Sequence, residues 1–217
     1  MNPPGTGAAP VTFLLEFLSR AYPSARVVLQ YQNAYELLIA TVLAAQCTDD
    51  RVNQVTPALF SRYPGPAEIL GASQEEIEEI VRPTGFYRNK ARALKGIADA
   101  LVTRHGGCVP RSMEELTALP GVGRKTAAIL LGACFGVNAL PVDTHVARVS
   151  FRLGLTGSKD PVRIEEDLSE AVPAERWWEF ATRLGWHGRQ ICAARKPACG
   201  ACGLSPVCPR IGVTRQA

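Results

Sequence analysis

Leu119-Pro120-Gly121-Val122-Gly123-Arg124-Lys125-Thr126-Ala127 reads as a tight hairpin between two helices. Upstream, Ser112 and Glu115 have the S-x-x-E spacing of a capping box, which predicts a short helix starting after Ser112 and running toward Leu119. Pro120 ends it. Gly121 and Gly123 tolerate positive φ and allow close approach to the backbone, and a second helix begins at once with its first N–H groups pointing outward. Such a terminus is an anion site. Arg124 and Lys125 fall in the first turn of this second helix, where the macrodipole disfavours each cation by a few tenths of a kcal/mol to about 1 kcal/mol. Their presence there calls for a use other than helix stability. An amine at a helix N-terminus, the more so when partly buried, shifts toward its neutral, nucleophilic form. On this stretch alone, a plain helical corner with two solvated cations fits equally well.

The 217 residues suffice for one large or two small domains, and an apolar fraction of 47% belongs to a globular chain. A net charge of +4 permits a polyanionic partner without requiring one. No run approaches the roughly 18 apolar residues of a membrane span, and Met1–Pro10 has neither a basic n-region nor an apolar h-region. The expectation is a cytoplasmic protein with a floppy N-terminal tail and no membrane partner. Seven cysteines are an odd number, and four of them sit near the C-terminus, which suits a metal or cluster site in a reducing compartment better than a disulfide framework.

Outward from the hairpin, every signal is helical. Val11, Leu14, Leu15, Phe17 and Leu18 space a first helix that ends at Tyr22-Pro23. Asn33 caps a second, Ala34 to about Gln46, so apolar throughout that it belongs in the middle of a bundle. Thr48, with Asp49 and Asp50 behind it, opens a third toward Phe60. Ser73 and Glu76 form another capping box for a helix ending near Pro83. Gly85-Phe86-Tyr87 follows as a loop, and a longer amphipathic helix carries Ala91, Leu94, Ile97, Ala98, Leu101 and Val102 to the Gly106-Gly107 stop. Past the hairpin, the helix from Arg124 ends near Gly136, Asp143 caps the next, Asp160-Pro161 opens one to Val172, and Ala174 to about Gly185 makes the last. With no period-two stretch of any length and no fixed repeat, the fold class is all-α, built of about ten short helices.

Cys192, Cys199, Cys202 and Cys208 are spaced C-x6-C-x2-C-x5-C in a loop that also contains Pro197, Gly200, Gly203 and Pro206. Four thiolates so close in sequence point to a metal. Zinc sites usually show two close pairs, and here only Cys199 and Cys202 are one, so a [4Fe–4S] cluster is the better fit. The cluster would staple a coil too small to pack alone, displaying Arg195 and Lys196 toward a phosphate backbone. Cys47, Cys108 and Cys134 read as small buried hydrophobes.

The hairpin, the Val142-Asp143-Thr144-His145 segment and the cysteine spacing, in this order and separation, together resemble the endonuclease III family, iron–sulfur DNA glycosylases of the helix-hairpin-helix superfamily. Ala45-Gln46-Cys47-Thr48-Asp49, Gly85-Phe86-Tyr87 and His187-Gly188-Arg189 share in the similarity, which covers nearly the whole chain. The resemblance implies a six-helix barrel domain with the helix-hairpin-helix over residues 27–137 and a discontinuous iron–sulfur domain, residues 1–26 and 138–217, with a cleft between the two. It implies a monomer acting in the cytoplasm at the nucleoid on double-stranded DNA that contains oxidised pyrimidines or abasic sites. Lys125 matches the family's nucleophile and Asp143 its carboxylate partner, so the implied activity is base excision followed by β-elimination through a lysine Schiff base. Gln46 matches the residue that fills the gap left by the flipped base. Phe86 stands where leucine usually wedges the opposite strand, and Ala44 where serine is common. Gly121, Gly123, Arg124, Arg195 and Lys196 are the expected phosphate contacts. For His145, packing or a cap contact is expected rather than acid–base work.

Two other readings compete. An adenine-mismatch glycosylase shares the cysteines and the aspartate but normally lacks the lysine. A non-catalytic DNA-binding or electron-transfer module would use the same hairpin and cluster without forming a Schiff base.

Overall fold

The computed structural model describes residues 7–217, which form eleven α-helices and three 3-10 turns, with no strand among them. In chain order the helices are α1 (Val11–Ala21), α2 (Ala34–Leu43), α3 (Asp49–Arg62), α4 (Pro66–Gly71), α5 (Gln74–Val81), α6 (Tyr87–His105), α7 (Met113–Thr117), α8 (Arg124–Phe135), α9 (Thr144–Arg152), α10 (Pro161–Ala171) and α11 (Trp177–Gln190). None is long and apolar enough to cross a membrane. The chain divides into two compact units, one of Val27–Val137 and one of the described residues up to Arg26 with Asn138–Ala217.

In the Val27–Val137 unit, α2 is the centre, buried at every position after Ala34, and it packs on α3, α6 and α8. Asn33 starts it by accepting from the Glu36 N–H at 2.9 Å. It stops at Leu43 rather than running to Gln46, because the chain turns through Ala44–Gln46 and Gln46 itself takes a left-handed φ of 53°. The Ser73–Glu76 capping box is complete. At Ser112 the hydroxyl accepts from the Glu115 N–H at 3.2 Å, but the Glu115 carboxylate returns to that hydroxyl, at 2.7 Å, instead of to the backbone. The six residues of α4 are too few to show a periodicity, although Pro66 in the first turn is a start signal. Tyr87 begins α6 and is not part of a loop.

The second unit is built on Leu14 and Leu18 of α1, Val146 and Val149 of α9, Ile164 and Leu168 of α10, and Phe180 and Leu184 of α11. Helices α9 and α11 pack together with Gly188 at their contact, where a Cβ would lie 2.8 Å from the Cβ of His145. Helix α11 runs to Gln190, beyond the expected end near Gly185, and this contact lies in the added turn. The first six residues of the expected tail lie outside the described residues. The end of that stretch is not loose: Ala9 is buried and its N–H donates to the Leu153 carbonyl at 3.0 Å.

Candidate functional site

The hairpin is anchored from below by Leu119 and Val122, both buried, with the Val122 N–H donating to the Leu119 carbonyl at 3.1 Å. Gly121 has the left-handed φ of 75° that its type allows, and a Cβ there would touch Ala93 of α6 at 3.4 Å. Gly123 differs from expectation: its backbone is extended (φ −90°, ψ 171°), so it serves as the N-cap of α8 and not as a left-handed residue. No side chain caps α8. Under the turn, Gly96 of α6 leaves room for Pro120, whose Cγ would be 3.1 Å from an added Cβ. A glycine inside a helix costs about 1 kcal/mol against alanine, and here the space it leaves seats the hairpin.

Arg124 and Lys125 are both exposed in the first turn of α8, whose buried face is Ala127, Ala128, Leu130 and Leu131. The partial burial expected for Lys125 is not found, because its position in the helix turns it away from that face. In the same unit Gln46 and Phe86 are exposed, Phe86 to 63%. They are the two non-glycine residues described in this unit with positive φ, 53° and 48°. A backbone of that kind is strained for such side chains, and strain of this sort collects at functional positions.

In the other unit, Asp143 caps α9 as expected. Its Oδ1 accepts from the N–H groups of His145 at 2.8 Å and Val146 at 2.7 Å, and its Oδ2 lies 3.7 Å from Nη2 of Arg189. One oxygen therefore holds the helix while the other faces a guanidinium. His145 is half-buried, with Nδ1 3.1 Å from Arg148 Nη2. Burial lowers its pKa, against the pull of Asp143.

Cys192, Cys199, Cys202 and Cys208 line one cavity, together with Val149, Arg152 and His187. Among the described residues no three His, Cys, Asp or Glu side chains close on a single metal ion. Four thiols on one cavity are a soft donor set that fits an iron–sulfur cluster. Burial pushes the Cys202 and Cys208 thiols up, and the neighbouring cysteines push them further, so these two are held as thiolates only around a cation. Sequence reasoning missed what surrounds them. The guanidinium of Arg152 donates to the Cys192 sulfur at 3.2 Å and to the carbonyls of Ala193 and Ala194 at 2.8 and 2.7 Å. His187 lies between the Tyr22 hydroxyl, 2.9 Å from its Nδ1, and the Cys202 sulfur, 3.6 Å from its Nε2. Arg148 ties the Cys192 and Gly188 carbonyls together at 3.0 and 2.8 Å. The only sequence signal for the two arginines was their spacing of four on α9, which puts both on one face. Arg195 and Lys196 are exposed between the first two cysteines.

Residues 39–174 match the HhH-GPD superfamily base excision DNA repair protein family. Over 199 residues the chain is 50% identical to the endonuclease III of Synechocystis sp., covering 91% of both chains. It is 42% identical to that of Bacillus subtilis, again over 91% of each. Among solved structures, a trapped endonuclease III–DNA covalent intermediate superposes with a TM-score of 0.88 at 41% identity, covering 92% of this chain and 94% of the other. A thermostable thymine-DNA glycosylase superposes with a TM-score of 0.80 at 28% identity, covering 91% and 93%.

Proposed function

Since the chain belongs to the HhH-GPD superfamily of base excision DNA repair proteins, and within it to the endonuclease III family, we propose that it excises oxidised pyrimidines from double-stranded DNA and cuts the strand through a Schiff base on Lys125. It is a DNA glycosylase and AP lyase of base excision repair. The observation that carries the lysine assignment is a primary amine in the first turn of an uncapped helix that follows a glycine hairpin. An exposed amine at that place can attack a sugar held by the hairpin.

The damaged base is first rotated out of the stack, since its glycosidic bond is out of reach inside a duplex. The Lys125 amine, in its neutral form, bonds to C1′ as the bond from C1′ to the base breaks, its electrons and a proton leaving with the base. The nitrogen's remaining proton passes to O4′ as the C1′–O4′ bond breaks, which opens the sugar ring to the imine. Removal of a C2′ proton expels the 3′ phosphate. Asp143 stabilises the positive charge that develops on the sugar and the amine. Gln46 fills the gap in the stack and Phe86 wedges the opposite strand, where its ring has more surface to stack than leucine. The Gly121–Gly123 turn, Arg124, Arg195 and Lys196 bind phosphates, which carry affinity without reading sequence.

Cys192, Cys199, Cys202 and Cys208 are the residues to hold a [4Fe–4S] cluster, an assignment supported by four thiols lining one cavity. The four cysteines would hold the cluster as thiolates, tying down the loop that presents Arg195 and Lys196, and it would take no part in bond cleavage. The protein acts as a monomer in the cytoplasm, at the nucleoid. Borohydride added to a mixture with DNA containing an abasic site tests the chemistry. Covalent trapping is the expected result, and a protein that binds this DNA without being trapped is not a lyase.

A further inference from the structure

Lys90 lies on the apolar side of α6, one turn before Leu94, and is only 5% exposed. Its ammonium donates to the Thr84 carbonyl at 2.7 Å, and among the described residues no carboxylate pairs with it. An ammonium is strongly hydrated and has three donors, so burying it for a single carbonyl is costly, while a methionine fills similar space without that cost. The carbonyl it holds opens the turn that leads to Phe86. Gly85 and Phe86 follow with φ of 71° and 48°, two left-handed residues in succession. Thr84 is fixed from the other side as well, its hydroxyl donating to the Val81 carbonyl at 2.8 Å while the Gly85 N–H donates to Arg82 at 3.2 Å. Burial lowers the Lys90 pKa and the nearby Cys47 thiol opposes that shift. Cys47 directly follows Gln46, so the buried cation is close to the segments that carry both strained, exposed side chains.

We propose that Lys90 is a positioning residue for duplex opening, its ammonium holding the Thr84 carbonyl so that the turn keeps Phe86 projected for entry into DNA. The proposal rests on the reading of Phe86 as the strand wedge. A turn that had to be ordered at each encounter would lose part of the binding free energy to that ordering; a turn already held does not. The signal was present in the sequence as a lysine four residues before Leu94 on the helix's apolar stripe, where a charge has no reason to be unless something buried needs it.

The test compares Lys90→Met and Lys90→Gln with the wild type in single-turnover cleavage of two duplexes, one with a paired oxidised pyrimidine and one with an abasic site, alongside thermal melting. The Met variant is expected to lose about tenfold or more on the paired lesion and less than about threefold on the abasic site, where little pairing opposes opening. The Gln variant keeps a donor for the Thr84 carbonyl and is expected to recover most of the loss. Equal losses on both duplexes, or none on either, would overturn the proposal, as would a Gln variant no better than Met. Should the Met variant fail to fold, Lys90→Ala, which also lacks the donor, takes its place beside Gln: a selective loss on the paired lesion that Gln restores supports the proposal, and equal losses or none overturn it. Phe86→Ala in the same assay separates the two ideas: if it loses both substrates alike, the wedge reading has failed, whatever Lys90 does.

Discussion

The Oδ1 atom of Asp143 accepts two backbone N–H groups at the start of α9, and its Oδ2 lies beside Arg189. The two jobs, capping a helix and facing positive charge, are separable by substitution. Asparagine caps as well as aspartate but carries no charge, whereas alanine does neither. Asp143→Asn is therefore expected to melt within a few degrees of wild type and bind damaged DNA as tightly, yet lose about a hundredfold or more in the single-turnover rate. Asp143→Ala should lose the same activity and in addition about 1 kcal/mol of stability. Should Asp143→Asn melt as low as Asp143→Ala, or keep most of its rate, the division of labour between the two oxygens is wrong. The capping role is readable from sequence, because an N-cap lies next to the helix it serves. The exposure of Lys125 is not, because which side of α8 faces solvent depends on the helices packed against Ala127 and Leu131.

Helices bring residues distant in sequence together, and two of their close approaches are made by glycines. Gly96 in α6 seats Pro120 of the hairpin, and Gly188 in α11 lets α9 approach until a Cβ would stand 2.8 Å from that of His145. The Cβ of His145 cannot rotate away, so Gly188→Ala has to push α9 and α11 apart at the helix that begins with Asp143. A destabilisation of about 1–3 kcal/mol, the usual cost of overpacking, is expected in denaturant melts, together with reduced cleavage. An unchanged melt would mean the crossing is looser than described. The capping residues Asn33, Thr48, Ser73, Ser112, Asp143 and Asp160 all start helices as their local sequences predict. What escaped was either too short to have a period, as with α4, or determined by packing. The end of α11 is of the second kind, and so is the surrounding of the cysteines, where Tyr22 reaches His187 across 165 positions.

Over the whole molecule, two units supply different parts: the lysine hairpin, Gln46 and Phe86 come from Val27–Val137, and Asp143 with the cysteine loop from the other. The cysteine spacing is legible because all four ligands lie in one short stretch, but the arginine and histidine that surround them are not. Iron and sulfide are each expected at about four per chain, and stripping them should lower the melting temperature and expose the loop to protease. Zinc at one per chain without iron would contradict this. Because Lys196 lies on that loop and faces solvent, Lys196→Gln should weaken binding to every sequence alike and lower the slope of log K against log salt by about 1. A change in sequence preference would show that it reads bases. The central claim is that strand cleavage passes through the amine of Lys125, which Arg124 beside it cannot replace because a guanidinium stays protonated. The measurement that tests this most directly is borohydride trapping of Lys125→Gln on abasic DNA, run beside its binding and melting. The expected result is a folded protein that binds the DNA about as well as wild type, forms no covalent complex and leaves the strand uncut. A Lys125→Gln protein that is still trapped and still cuts would contradict it.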